Sequence, residues 1–101
     1  MNTAELLVML EAQLDIITDY MDADAKAAKE AELTQYINAA QSFIAREGIA
    51  LNLADIGDCM LIVMYAAWLY RRRLDPASQM PRMLRWNLNN RLFSQKAGAS
   101  G

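Results

Sequence analysis

Four aspartates fall within ten residues, Asp15, Asp19, Asp22 and Asp24, and paired carboxylates are the commonest acid–base machinery a chain without histidine can build. Here they sit in a polar stretch between two apolar-periodic segments and read as a solvated helix junction. Calcium binding would require regularly spaced oxygen ligands and the glycine turn of an EF-hand, and this stretch has neither. With no histidine in the chain, there is no imidazole base for a nucleophile triad and no His-containing metal site. The single cysteine, Cys59, excludes an intrachain disulfide and a Cys-rich zinc site, and its apolar surroundings mark it as a small core residue. Four glycines are too few and wrongly spaced for a phosphate loop. The sequence therefore points to a protein that is not an enzyme and needs no cofactor or metal.

Arginine carries the remaining chemistry. Arg71, Arg72 and Arg73 close one helical segment, and Arg82, Arg85 and Arg91 lie on the next. Guanidinium groups at a helix C-terminus favour the dipole, and three in a row point in three directions. They also suit acidic partner surfaces or DNA backbone. Met83, Trp86 and Phe93, in a chain with seven methionines, fit a protein interface better than nucleotide stacking. At helical spacing they also fit a core. Residues 1–50 hold nine acidic and three basic side chains, and residues 51–101 hold three and seven. Such asymmetry accompanies nucleic-acid contact, or copies meeting acidic side to basic side.

Four helical segments must position these groups. The 101 residues form one domain, 1–96, with 97–101 expected as a disordered tail. Apolar residues make up 54%, enough for a packed interior, and no alternating run is long enough for a strand. The first helix starts at Asn2 or Thr3, with Leu6, Met9, Leu10, Leu14 and Ile17 on one face. The second starts near Asp22 or Asp24, with Asp22 and Lys26 at ion-pair spacing. It carries the stripe Leu33, Tyr36, Ile37, Ala40, Phe43 and Ile44, then ends at Arg46 with Gly48 as its C′ residue. Asn52, with Asp55 three residues on, resembles a capping arrangement for a third helix from about Ala54 to Arg73. That helix is apolar on every side from Cys59 to Tyr70, so it must be buried all round. Three short helices cannot cover it fully, which points to another subunit. Its row Ile56, Met60, Val63, Ala67 and Tyr70 is expected against Leu33, Ile37, Ala40 and Ile44.

Asp75-Pro76 ends the third helix and Pro81 opens a fourth, reaching about Gln95. Met80, Leu84, Leu88 and Leu92 form one face of that helix, and Trp86 and Phe93 lie on another. The twelve-residue apolar run is short of the roughly 20 needed to span a bilayer, and the N-terminus carries Glu5 and Glu11 where a signal peptide would be basic. A cytosolic, reducing origin without membrane contact is expected.

The order of these features resembles the head–tail connector (adaptor) proteins of tailed phages. The second helix reads Ile37-Asn-Ala-Ala-Gln-Ser-Phe-Ile44, the third closes as Trp68-Leu-Tyr-Arg-Arg-Arg73, and a Met80-Pro81 step opens the last. The resemblance covers residues 3 to 95; the longer last helix and the arginine-rich carboxy half depart from the family pattern. It implies an all-α bundle of about four helices around a central apolar third helix, with subunits assembled in a ring that is twelve-fold in the virion. The implied partners are the portal protein, further copies of the chain and the next tail-proximal protein, with DNA passing through the channel unread. Arg71, Arg72, Arg73, Arg82, Met83, Arg85, Trp86, Arg91 and Phe93 are the partner-binding candidates. The other reading from the residues is a small helical DNA-binding or regulatory protein that uses the carboxy-terminal arginines.

Overall fold

Local capping chemistry sets where each helix begins. The computed structural model describes residues 1–97 with their side chains and 98–100 as backbone. It contains α1 (Thr3–Gln13), α2 (Ala23–Arg46), α3 (Ile56–Arg72) and α4 (Arg82–Ser100), with no strand among the described residues. Asn2 and Glu5 form a reciprocal capping box: the Asn2 side chain accepts from Glu5 N–H at 2.9 Å, and the Glu5 carboxylate accepts from Asn2 N–H at 3.1 Å. Asp22 caps α2 by accepting from Ala25 N–H at 2.7 Å. The expected Asp22–Lys26 pair does not form; Lys26 instead faces Glu30 at 4.0 Å. Gly48, at φ +96°, follows the C-cap of α2 in the left-handed region that glycine adopts without penalty.

α3 begins two residues later than the Asn52–Asp55 pattern implies. Asp55 is the cap, accepting from Gly57 N–H at 2.8 Å, while Asn52 accepts from Ala54 N–H at 2.9 Å and turns the chain into it. α1 also ends early: Leu14 is its C-cap and Asp15 takes φ 57°. That turn breaks the helical period, so Ile17 points outward instead of extending the face of Leu6 and Leu10.

The core is the meeting of α3 with the other three helices, α2 most extensively. Leu6 and Leu10 of α1 and Leu33, Ile37, Ala40 and Ile44 of α2 are fully buried, as are Cys59, Ile62 and Ala66 of α3. Tyr36 meets Tyr70 edge-to-face at 5.6 Å, and Phe43 stacks on Tyr65 at 6.1 Å, fixing the α2–α3 register. Val63 and Ala67 are buried and Tyr70 half-buried in line with the expected row, but Ile56 and Met60 are exposed. The molecule measures 53 × 31 × 18 Å, and its thin dimension admits only two helices of ~10 Å diameter. A slab of that thickness cannot wrap an apolar helix, and the strip of α3 bearing Ile56 and Met60 is what it leaves uncovered.

α4 closes the other side of α3 with Leu84 and Leu88, both buried, and with Met80 and Leu92 half-buried. Pro81 precedes its first residue, and the Pro81 carbonyl accepts from Arg85 N–H at 3.1 Å. The helix runs past the expected end at Gln95. The expected disordered tail, 97–101, falls mostly on residues traced as backbone only, with α4 continuing to Ser100 and Gly101 outside the described residues.

Candidate functional site

The aspartates Asp15, Asp19, Asp22 and Asp24 lie where α1 gives way to α2. Asp22 is a helix cap, and no group of three metal-ligating side chains occurs among the described residues. Glu11 is the perturbed carboxyl there: partial burial, then the charges of Glu30 and Asp19, hold it above the ordinary carboxylate range despite Lys26. Cys59 is buried, with its Sγ 3.3 Å from the Leu53 carbonyl.

The arginines are largely engaged within the chain. Arg71 donates to the Gln13 carbonyl at 3.2 Å, tying the end of α3 to the end of α1. Arg72 lies over the Trp68 ring at 5.3 Å, and Arg73 over Tyr70 at 3.9 Å with Glu32 at 4.0 Å. Arg71 thus reaches α1, Arg72 lies along its own helix, and Arg73 lies over a ring of α3 with Glu32 of α2 beside it. Arg85 grips Glu47 through both guanidinium nitrogens, at 2.5 and 3.4 Å, and so fastens α4 to the end of α2. Arg82 is exposed and has no ion-pair partner among the described residues.

Arg91 makes the most consequential internal contact. Asp58 is only 1% exposed, yet it carries a carboxylate. Arg91 Nη2 donates to its Oδ2 at 3.1 Å, and Asn52 N–H donates to the same oxygen at 2.9 Å. Arg91 Nε stands 2.7 Å from Oδ1, though its N–H is not aimed at that oxygen, which leaves the contact coulombic. Asp55 adds a second carboxylate 3.5 Å from Nη2. Hydrogen bonding to Asp58 and the charges of both aspartates hold the guanidinium pKa above its ordinary value. A buried charge is tolerable when so surrounded. Further along α4, the Gln95 amide pairs both ways with the Ala50 backbone, at 2.9 and 2.7 Å.

Patterning alone missed Asp58, Asp55, Glu47 and Gln95, because their partners lie 33 to 45 residues away. The one available signal was Asp58 itself, a charge next to Cys59 at the start of the apolar run. A lone carboxylate in a segment that must be buried needs a cation from elsewhere.

The apolar candidates lie on the opposite side of α4. Met83, Trp86 and Phe93 are 62, 60 and 67% exposed, directly away from Leu84 and Leu88. Trp86 therefore does not pack on α3 in this chain. Beside this face an open cleft of about 430 Å³ runs between α3 and α4. Met60, Leu61 and Met64 form one wall and Asn87 and Asn90 the other, with the Asp58–Arg91 pair at its floor. An amide-flanked, methionine-lined cleft with Asp55, Asp58 and Arg91 at its floor suits an uncharged or hydrogen-bond-donating side chain.

α4 thus has two distinct roles. Two buried leucines and three polar bridges make it part of the fold, and on its outer face Met83, Trp86 and Phe93 are exposed. Compared with protein-family models, curated proteins and solved structures, the chain matches none.

Proposed function

We propose that this chain is a structural virion-assembly protein, a head–tail connector subunit. It would form a ring beneath the portal, extend the DNA channel and present a docking surface to the next tail-proximal protein. The observation that carries the reading is the outward row Met83, Trp86 and Phe93 on a helix already packed through its other side. Large exposed apolar residues aligned along one helix face mark a partner surface. The order of sequence features, which resembles that of the connector family, supplies the kind of partner.

The DNA-binding alternative has less support. It needs arginines free to meet phosphates, and Arg85 and Arg91 are bidentate or buried-pair partners while Arg71, Arg72 and Arg73 lie against protein groups. Phosphate contacts would also make binding fall steeply with salt.

The test is co-sedimentation of the purified chain with DNA-filled, portal-bearing heads, followed by electron microscopy of the vertex. Added density below the portal is the expected result. A Trp86→Ser/Phe93→Ser variant should keep its circular dichroism and melting temperature and lose head binding. A wild-type chain that ignores heads but binds duplex DNA with a steep salt slope would overturn the connector reading.

A further inference from the structure

The outer face of α4 has a regular period. Met83, Trp86, Asn90, Phe93 and Ala97 follow one another at alternating steps of three and four residues, the seam spacing of a packed helix pair. Leu84, Arg85, Leu88, Arg91 and Gln95, which anchor α4 to the body, lie off that seam. Its charged flanks are Arg82 and Lys96, and residues 76–101 contain no acidic side chain at all. Two such helices facing each other would set cation against cation, so the seam is poorly suited to its own copy and well suited to an acidic counterpart.

The same chain carries such a counterpart. Residues 11–32 hold seven carboxylates against two lysines, and both lysines are engaged by Glu30 and Glu32. This end also exposes two large side chains, Ile17 and Tyr20, the latter 91% accessible. Tyr20 is an amphipathic knob, and the cleft beside the seam offers Met60 and Met64 to a ring and Asn87 and Asn90 to a hydroxyl.

We infer that the occupant of the α4 seam and its cleft is the acidic end of a second copy, Tyr20 entering the cleft and Ile17 resting on Trp86 and Phe93. This rests on the ring-forming part of the connector reading and names its contact. Because the two surfaces differ, the contact is head-to-tail, and it propagates into a closed ring or an open chain depending on the rotation per copy. The rim charges steer association and weaken with salt over a screening length of ~8–10 Å.

Complementation tests it. One variant, Trp86→Ser/Phe93→Ser, breaks the seam; the other, Ile17→Ser/Tyr20→Ser, breaks the acidic end. All four positions are exposed, so both variants should fold, as circular dichroism would verify. In sedimentation at low salt the wild-type chain should form higher oligomers, and the apparent Kd should rise at least tenfold between 50 and 500 mM salt. Each variant alone should be monomeric, and the two mixed should give a 1:1 heterodimer and nothing larger, since each supplies the face the other lacks.

Self-association of the Ile17→Ser/Tyr20→Ser variant at wild-type strength would overturn the inference, as would a mixture that stays monomeric or a strictly monomeric wild type. Binding to portal-bearing heads is read separately. A chain that complements as described but ignores heads leaves the contact standing and removes the connector reading.

Discussion

Replacing Arg91 by methionine keeps most of the side-chain stem and removes the guanidinium. Asp58 would then hold one hydrogen bond, from Asn52 N–H at 2.9 Å, in a site where it is 1% exposed. Stripping one partner from a buried ion pair typically costs about 3–5 kcal/mol. The Arg91 side chain is 29% exposed, so water can enter part of the vacated space. That relief lowers the expected loss to roughly 2–3 kcal/mol. A domain of this size has about 5–15 kcal/mol in total, so the melting temperature should fall by roughly 10–20 °C. Urea unfolding followed by far-ultraviolet circular dichroism at pH 7 gives the number. Repeating Arg91→Met in an Asp58→Asn background isolates the cause, because no charge is left stranded there and the further loss should stay below about 1 kcal/mol. Equal losses in the two backgrounds would refute the stranded-charge argument, and a loss under about 1 kcal/mol in the first would show that the pair contributes little.

Two other substitutions probe local features. Gly48→Ala should lower stability by about 1–2 kcal/mol, since alanine pays for φ +96° while its added Cβ meets only Leu92 Cδ1 at an ordinary 3.5 Å; an unchanged urea midpoint would count against it. Glu11→Gln should raise the melting temperature at pH 7 and leave it unchanged at pH 4. The folded chain holds the Glu11 proton to higher pH than the unfolded chain, so the stability tied to this carboxyl is present at low pH and lost as pH rises through its raised folded pKa. Thermal melts across that range check the sign.

The features legible in the sequence are those whose causes are local. The Asn2–Glu5 box, the Asp22 cap and the Gly48 stop depend on residues within four positions of one another. The two-sided character of α4 was also readable, because Leu84 and Leu88 differ in helical phase from Trp86 and Phe93. On α3 the same reasoning fails for a physical reason: a segment apolar at every phase has no amphipathic signal, so nothing marks Ile56 and Met60 as outward. Ile17 was misplaced because the turn at Asp15 carries no glycine or proline to announce it. Arg85 and Arg91 look like free rim cations in one dimension, and only the packing of α4 on α3 brings Glu47 and Asp58 to them.

The positions of the two tryptophans give the molecule a pair of intrinsic optical reporters. Trp68 is half-buried, its indole Nε1 shielded from solvent, with Tyr65 edge-on at 5.5 Å and the Arg72 guanidinium over its ring. Trp86 stands largely in water. Emission from Trp86 should be red-shifted and open to acrylamide, while emission from Trp68 should be blue-shifted and protected. A Trp86→Phe variant would then report unfolding alone, through Trp68. A Trp68→Phe variant would report solvent access to the α4 face in the native chain, so unfolding and the proposed covering of that face are separable by wavelength without an attached dye.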